Sequence, residues 1–357
     1  MLMPVKNDRG VTAVMVAVSL VMLLGFAALT VDVGQALVAR NELQDVADAA
    51  ALAGARRLGV MYAGSPDGSI PPMSATDQQN FVLTSRSDID NAVITVASSN
   101  SARGVPISIP TSEIEIGDWD PAAKTFTVTN ATPNAVRVTA RRDASQNGPV
   151  TTFLAGLLGI NSVGVTAFAT AALTGTSTTN PGDLETPFGV SSFRFTTTYC
   201  SQPVRFYPTN DPIACAGWHT FTDNPPNANL LRNIIDGLIP TPPTYVTPGT
   251  QAGVTDLNFT GGSVASALPN LKALYDAKKD ANGNWDALVP VYQSSDCSNP
   301  NTSLPIVGYA SMRITNVLAP PDGQLVEGII QCNLVDGGRG GGGPGFGTLG
   351  AIPGLVQ

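Results

Sequence analysis

The chain has 357 residues, which is enough for a membrane anchor and about two modest domains. Hydrophobic residues make up 43% of it and charged residues only 13%, about half the usual charged share of a soluble globular protein. The formal net charge of −8 argues against nucleic-acid partners, because an acidic surface repels phosphate backbones.

The first predicted element is a membrane-spanning helix. The run from Val11 to Val31 contains no charged residue. At a rise of about 1.5 Å per residue, a helix of this length crosses the roughly 30 Å hydrocarbon core of a bilayer. Lys6 and Arg9 precede the run, whereas Arg40 beyond it is surrounded by acidic residues. The positive-inside rule therefore predicts a single-pass inner-membrane protein with a cytoplasmic N-terminus and periplasmic or surface-exposed C-terminal domains.

Processing of this N-terminal segment stays open. A cleaved signal peptide has an apolar region of about 7–15 residues before a small-residue cleavage site. The present run is longer, and the residues near Ala27 and Ala28 make a poor site. Gly10 is placed like the residue before a prepilin-peptidase cut. Type IV pilins, however, carry Glu at the fifth residue after that cut, where this chain has Met15.

Helical character continues over residues 33–59, where good helix formers dominate. Small and apolar side chains recur at steps of three or four and form one face, with polar side chains opposite. Such a face lets another element approach closely, so it packs either on the chain's own outer domain or on a partner subunit. The members of this helix interaction face are Leu43, Val46, Ala47, Ala50, Ala53 and Gly54.

The segment from Arg9 to Ala55 resembles the N-terminal region of TadG-like proteins of the Tad/Flp (type IVb) pilus-assembly system. The similar stretches are R-G-V-T-A-V-M-V-A-V-S-L and, farther on, R-N-E-L-Q-D-V-A-D-A-A-A-L-A-G-A. Weaker similarity continues through D-W-D at 118–120, N-A-V-R-V-T-A-R-R at 134–142 and F-L-A-G-L-L-G at 153–159. The resemblance implies a membrane-anchored protein associated with a pilus or secretion apparatus, and it implies no reaction.

Residues 60–175 predict an α+β domain with an antiparallel sheet. The first part is a Gly/Pro/Ser-rich loop, followed by a helix within 77–97. Alternation of apolar and polar side chains then predicts strands. The predicted strands are Val105–Ile109, Glu113–Trp119, Thr125–Thr129, Ala135–Arg141 and Gly164–Leu173, with a short helix at Pro149–Leu158 before the last of them.

A polar linker at 176–187 precedes a second β-rich α+β domain at 188–335. The segments Leu230–Leu238 and Leu268–Lys279 predict helices, and Leu288–Tyr292 and Ile306–Val317 predict strands. The Gly-rich tail, 336–357, is expected to be disordered. The predicted fold class is therefore α+β, with a cytoplasmic tail and anchor (1–32), a helix that continues outward, and two extracytoplasmic domains.

All four cysteines, Cys200, Cys215, Cys297 and Cys332, fall in the second predicted domain. Their even number and loose spacing favour two disulfides over a zinc site, since the chain has a single histidine. Disulfides imply an oxidising compartment, in agreement with the predicted topology. We favour the pairs Cys200–Cys215 and Cys297–Cys332 because both are local, although the sequence leaves the connectivity open.

Three polar segments are candidates for catalysis or metal binding. His219 lies beside Trp218 without an evident catalytic partner, so we expect it to pack structurally. Residues 143–147 are similar to the D-x-S-x-S metal motif of von Willebrand A domains, but the last position is Asn, which favours a polar turn. Residues 280–286 resemble the start of a calcium loop, but Val291 stands where the closing Glu belongs, so a surface turn is favoured.

The sequence contains no motif of a hydrolase, a Walker A nucleotide site or a zinc protease. We therefore expect no enzymatic activity, cofactor or metal. The leading hypothesis is a membrane-anchored component of Tad/Flp pilus assembly or associated secretion. It would act by contacts with other pilus-assembly or pilin-like subunits. The alternative is a pilus-associated surface adhesin or binding module. The sequence identifies neither the specific partner, its stoichiometry nor any ligand.

Overall fold

One continuous helix, α1 (Arg9–Ala63), carries the apolar N-terminal run into the body of the protein. It belongs to a computed structural model that describes residues 9–64, 73, 75–131, 133–196, 203–206, 214–260, 264–332 and 334–356. At about 1.5 Å per residue, its 55 residues extend for roughly 80 Å. The predicted α+β fold class is confirmed, because long α1 is followed by β-rich structure with interspersed helices.

Among its described residues, the first half of the chain after α1 contains two more α-helices and eight strands. Its central strands are longest where apolar and polar side chains alternate, as expected for a sheet buried on one face. In chain order the elements are α2 (Ala75–Gln79), α3 (Phe81–Ser98), β1 (Ser101–Ala102), β2 (Val105–Pro106), β3 (Ile114–Asp120), β4 (Thr125–Val128), β5 (Ala135–Arg142), β6 (Val150–Thr151), β7 (Ser162–Val163) and β8 (Val165–Ala172).

The second half of the chain supplies the remaining elements. The helix α4 has a strong start signal, since the side chain of Asn227 accepts hydrogen bonds from the amides of Asn229 and Leu230. The elements are β9 (Thr178–Thr179), β10 (Phe188–Ser191), β11 (Pro203–Phe206), β12 (Ala216–Trp218), α4 (Ala228–Leu238), β13 (Thr250–Gln251), β14 (Asp256–Asn258), α5 (Leu268–Lys278), β15 (Trp285–Tyr292), β16 (Ser303–Leu318), β17 (Leu325–Ile330), β18 (Leu334–Arg339), β19 (Thr348–Ile352) and β20 (Gly354–Leu355).

The first hydrophobic core lies between α1, α3 and an antiparallel sheet with the order β20–β8–β5–β3–β4. Strand β5 shows the pattern that builds it. Val136, Val138 and Ala140 are buried in this core, while Arg137 and Arg141 lie on the other face. The predicted alternation of β5 is thus confirmed, and the helices cover the apolar face of the sheet.

The second core lies around a larger sheet with the order β11–β17–β16–β15–β10–β12 and with β14 paired to β16. Strands β10 and β15 run parallel, and the other pairs are antiparallel. Helices α4 and α5 bury their apolar faces in the same core. The predicted helices near 230 and 268 and the strands near 288 and 306 are all present.

Two local predictions were wrong. The segment 149–158 was predicted to be a helix, but it begins as strand β6 and ends in a short 3-10 helix, Ala155–Leu158. The reason is a tertiary hairpin, because β6 pairs with β7 across the turn. The predicted strand at 105–109 shortens to β2, which pairs only with β1.

The tail differs most from its prediction. Residues 336–357 were expected to be disordered, but among their described residues β19 pairs in parallel with β18, and β20 pairs with β8 at the edge of the first sheet. The glycines in these contacts allow the backbone of the tail to lie directly against the backbone of residues 174–175. A Cβ on Gly175 would lie 1.9 Å from the carbonyl oxygen of Pro344, and one on Gly340 would lie 2.0 Å from that of Thr174.

The docked tail also contacts α1 closely, which leads to a prediction. Arg56 donates a hydrogen bond of 2.9 Å to the carbonyl of Ala351, and a Cβ on Gly59 would lie 2.3 Å from that oxygen. Although alanine is the better helix former, Gly59→Ala is expected to displace β19 and to destabilise the protein by about 1–3 kcal/mol. Limited proteolysis should show faster cleavage within 340–356.

Gly354→Ala is the matched control for this experiment. Gly354 lies in the same tail, but no atom is within 4 Å of the position its Cβ would take. We expect this variant to keep the protease resistance of the parent. Equal resistance in both variants would mean that the tail does not pack against α1 as described.

Candidate membrane anchor and its junction with the outer structure

The surface of α1 changes character along its length. Every described side chain from Gly10 to Val31 is exposed, although most are strongly apolar. Val33 and Leu37 continue this exposed apolar surface. Ala39 is the first apolar residue of α1 that is fully buried. A soluble helix does not leave so long an apolar surface uncovered, because each exposed apolar side chain costs free energy in water. The N-terminal part of α1 is thus a helix that could span a membrane.

The helix interaction face lies beyond this exposed part. Leu43, Val46, Ala47 and Ala50 are buried in the first core of the same chain, and Ala53 is half-buried. Gly54 explains the need for small residues, since a Cβ there would lie 2.7 Å from Val93 of α3 and 3.0 Å from Val136 of β5. The structure therefore places the buried members of this face, all except Ala53, in intrachain packing.

Asp32 marks the junction between the two parts of α1. It directly follows the apolar run, yet its side chain is only 7% exposed. Its carboxylate accepts hydrogen bonds from the backbone amides of Phe153, Leu154 and Ala155, at distances between 2.5 and 3.3 Å. These amides open the short 3-10 helix, so Asp32 satisfies donors that the helix itself leaves free. The carboxylate thereby attaches the turn of the β6–β7 hairpin to the end of the apolar run.

Our sequence reasoning missed this role of Asp32. The position itself is one signal, because a carboxylate at the end of an apolar run is either exposed to water or bound to a hydrogen-bond donor. The second signal is the absence of any charged residue from 144 to 182, a stretch that contains F-L-A-G-L-L-G. Neither signal shows that the two segments meet, since they are 121 residues apart in the chain.

Removing the carboxylate of Asp32 tests the junction. In Asp32→Ala the three amides lose their acceptor, so their hydrogen exchange is expected to accelerate by about tenfold or more. Asp32→Asn keeps one acceptor oxygen and should give an intermediate rate. Asp45→Ala removes an exposed aspartate of the same helix and should leave these amides unchanged. Unaltered exchange at 153–155 in Asp32→Ala would contradict the assignment.

The cysteines show a different pairing from the one we favoured. Cys215 is bonded to Cys297, across a sequence separation of 82 residues. The local pairs Cys200–Cys215 and Cys297–Cys332 are therefore wrong. The reason is sheet topology: β10 lies between β12, which follows Cys215, and β15, which precedes the loop of Cys297. Cys332 is also disulfide-bonded, whereas Cys200 lies outside the described residues.

The loop that contains Cys297 is held by β10 as well. The Ser191 hydroxyl donates a hydrogen bond of 2.8 Å to the Asp296 carbonyl, and the Ser191 amide donates one of 2.7 Å to the Cys215 carbonyl. The Ser298 hydroxyl and amide both donate to the Asp296 carboxylate, which lowers the pKa of that carboxyl. The disulfide thus joins two segments that already meet at the end of one strand.

His219 lies in the second core with no exposed surface. Its ring packs edge-on against Phe221 and Phe259, with centroid distances of 4.7 and 5.6 Å, and its Nδ1 accepts a hydrogen bond from the Phe221 amide. Burial lowers the pKa of His219 to about 3, although the nearby Phe188 backbone opposes this shift. The ring is therefore neutral at physiological pH and serves packing, as the sequence predicted.

The two suspected metal segments are turns that use their own oxygens. The Asp143 carboxylate accepts from the amides of Ser145 and Gln146 and from the Ser145 hydroxyl, which lowers its pKa. The Asp280 carboxylate accepts from the amides of Asn282 and Asn284, which lowers its pKa in the same way. Among the described residues, no three acidic, Cys or His side chains cluster as metal ligands.

Comparison with known proteins supports the picture built from the anchor. A family model described as Flp pilus-assembly TadE/G-like matches residues 10–57, which is most of α1. A second, described as Tad-like Flp pilus-assembly, matches residues 72–171, which include α3 and strands β1 to β7. No curated protein and no solved structure matches the chain.

The two matches follow one another along the chain, and residues from both matched ranges pack together in the first core. They indicate involvement in Tad/Flp pilus assembly, and such families suggest association with other pilus components. The second core lies outside both matched ranges. The apolar helix, the sheet that packs on its continuation and the two consecutive matches agree, and over these residues the chain is similar to the TadE/G-like proteins of the Tad/Flp pilus-assembly system.

Proposed function

We propose that this protein is a non-enzymatic, single-pass inner-membrane component of Tad/Flp pilus assembly or associated secretion, and that it acts by protein–protein contacts. Its N-terminus is cytoplasmic, and the two cores lie in the periplasm. The observation that carries the proposal is the continuity of α1. The same helix that exposes an apolar surface from Gly10 to Val31 is buried in the first core from Ala39 onward.

This continuity has a mechanical consequence. No loop separates the membrane-spanning part of α1 from the part packed on the first sheet, and Asp32 attaches the β6–β7 turn at the boundary. A helix with an unbroken hydrogen-bond ladder resists bending far better than a flexible linker does. The outer structure is thereby held at a fixed height and angle, which suits a scaffold that positions other subunits at the membrane.

The chemistry of the interior supports a structural role. The buried histidine is neutral and surrounded by aromatic rings, and the conspicuous aspartates of the turns bind backbone amides. The disulfide between Cys215 and Cys297 suits the oxidising periplasm. The positive residues Lys6 and Arg9 before the apolar run favour a cytoplasmic N-terminus.

Topology and role are tested together in cells that carry a C-terminal epitope tag on the full chain. We expect the tag to resist external protease in intact cells and to be cleaved in spheroplasts. Cleavage in intact cells would instead indicate surface exposure and favour an adhesin. Resistance in both would contradict the orientation. If pili and secretion remain intact after the gene is deleted, the assembly role is contradicted.

The contact mechanism is tested with a photo-crosslinking residue at exposed Leu37, which is 55% exposed. Ala47, which is buried in the first core, is the matched control on the same helix. Crosslinks from position 37 to another pilus-assembly subunit, and none from position 47, would support the proposal. A subunit captured equally from both positions would show that the first core is not packed as described.

A further inference from the structure

The β6–β7 hairpin presents an apolar surface that the proposed function does not use. At its turn, 152–161, the side chain of Phe153 is 73% exposed and that of Ile160 is 53% exposed. The exposed Val163 follows in β7. No charged residue occurs between 144 and 182, so no charged side chain within the hairpin opposes entry into an apolar phase. An exposed apolar tip of this kind marks a contact surface.

The position of the turn is determined by α1. The carboxylate of Asp32 binds the amides of Phe153, Leu154 and Ala155, and Asp32 is the residue that ends the apolar run. From Gly10 to Asp32 the helix rises by roughly 33 Å, close to the thickness of a hydrocarbon core. If the run spans a bilayer, Phe153 lies at the level where the helix leaves the hydrocarbon.

The backbone of the turn is suited to that environment. Polar backbone groups without partners are excluded from apolar lipid, because each costs several kcal/mol. Here the Thr152 amide donates to the Asn161 carbonyl, and the Ile160 amide donates to the Ala155 carbonyl. The three amides from 153 to 155 are satisfied by Asp32. The turn therefore presents apolar side chains on a backbone that is largely paired.

From these observations we infer that the β6–β7 turn enters the lipid interface beside α1 and forms a second membrane contact through Phe153 and Ile160. The inference rests on the proposed membrane anchoring by α1. The occupant is the lipid surface, because Asp32 holds the turn directly at the end of the exposed apolar run, and the exposed Leu29 lies one turn before Asp32 on the same face of α1. With two points of attachment, α1 and the turn, the outer structure has a fixed rotation about the helix axis as well as a fixed height.

The test uses single tryptophan substitutions in the full chain, reconstituted into phosphatidylcholine vesicles with or without acyl chains brominated near the headgroup. Phe153→Trp and Ile160→Trp report the turn, and Leu23→Trp reports the anchor. The control is Val128→Trp. Val128 is 59% exposed on β4 and lies across the sheet from Ala135, close to Pro133, whose carbonyl accepts a hydrogen bond from Tyr62 at the far end of α1. The native Trp119, Trp218 and Trp285 are all buried and give a common background.

We expect brominated lipid to reduce the added emission of Phe153→Trp and Ile160→Trp well beyond that of Val128→Trp. Quenching of Leu23→Trp, measured with lipid brominated near the chain end, checks the anchor separately. If Leu23→Trp is quenched and both turn variants behave like Val128→Trp, the second membrane contact is refuted and the anchor stands. If Leu23→Trp is not quenched, the anchor itself fails.

A protein occupant gives a distinct result. Turn tryptophans that are shielded from aqueous iodide but also from brominated lipid would be covered by protein, and the lipid contact would be refuted. Near-UV circular dichroism and thermal unfolding of each variant exclude misfolding as the cause. Two turn positions are used because, if one variant fails to fold, the other still reports whether the turn contacts lipid.

Discussion

Replacing Cys215 and Cys297 together with alanine is expected to lower the free energy of unfolding of the second core by about 4–5 kcal/mol. The cross-link joins residues separated by 82 positions, and in the chain-entropy model a closed loop of that size constrains the unfolded chain by about this amount. Trp218 and Trp285 are buried in this core, so their fluorescence reports its unfolding by urea in the detergent-solubilised full chain.

Alanine is preferred over serine because Cys215 is buried, and a buried hydroxyl would add a cost of its own. Reduction of the wild type measures all disulfides together, so the double variant isolates this one. Peptide mapping without reduction should recover a linked pair of peptides containing residues 215 and 297. A double variant as stable as the parent would mean that the pairing contributes no stability.

Acidification is expected to destabilise the second core through His219. In the unfolded chain this imidazole has a pKa near 6.5, whereas in the folded protein burial lowers it to about 3. Below pH 6.5 the unfolded state therefore binds a proton that the folded state does not. The contribution of the neutral ring is complete above pH 6.5 and is lost as the pH falls toward 3. At pH 4.5 the cost is about 2–3 kcal/mol.

The measurement compares urea unfolding at pH 7.5 and pH 4.5 in the wild type and in His219→Asn. Asparagine does not titrate, and its Oδ1 can still accept a hydrogen bond from the Phe221 amide. The variant is expected to be less stable at both pH values because ring contacts with Phe221 and Phe259 are lost. Its stability should nevertheless change much less between them. An equal pH dependence in both proteins would assign the acid sensitivity to other groups.

Carboxylates do not obscure this comparison. Asp143, Asp280 and Asp296 accept hydrogen bonds that lower their pKa below the usual value of 3.8. Their stabilising effect is complete above that value and is lost as the pH falls through the lowered folded pKa. Wild type and His219→Asn carry the same carboxylates, including Asp118, whose pKa is raised by burial, so the difference between the two proteins isolates His219.

The local elements of the fold could largely be predicted. Alternation in 135–141 predicted β5, and alternation in 306–317 predicted the central part of β16. The reason is that side-chain periodicity reports which face of an element is buried, and this depends on neighbours in sequence. The hairpin at 150–163 was missed for the converse reason, since its backbone is fixed by pairing and by Asp32, far away in the chain.

The tail shows the same limit. A run of glycines in sequence predicts flexibility, yet Gly340 of this run occurs where backbones approach too closely for a Cβ, and so do Gly175 and Gly59, which contact the tail from elsewhere in the chain. Composition alone cannot distinguish these two uses of glycine, because the distinction lies in what surrounds the residue. The disulfide pairing is similar, since it depends on which strands are neighbours in the second sheet.

The sequence by itself determined the apolar run from Val11 to Val31, the α+β class and the resemblance to the TadG-like proteins, because these depend on composition, period and local motif. Only the tertiary structure decided that the helix interaction face packs on its own domain, that Cys215 pairs with Cys297, that the tail returns to the first sheet and that Asp32 holds the β6–β7 turn. Each of these joins residues far apart in the chain, and their proximity results from the packing of whole elements rather than from any local preference.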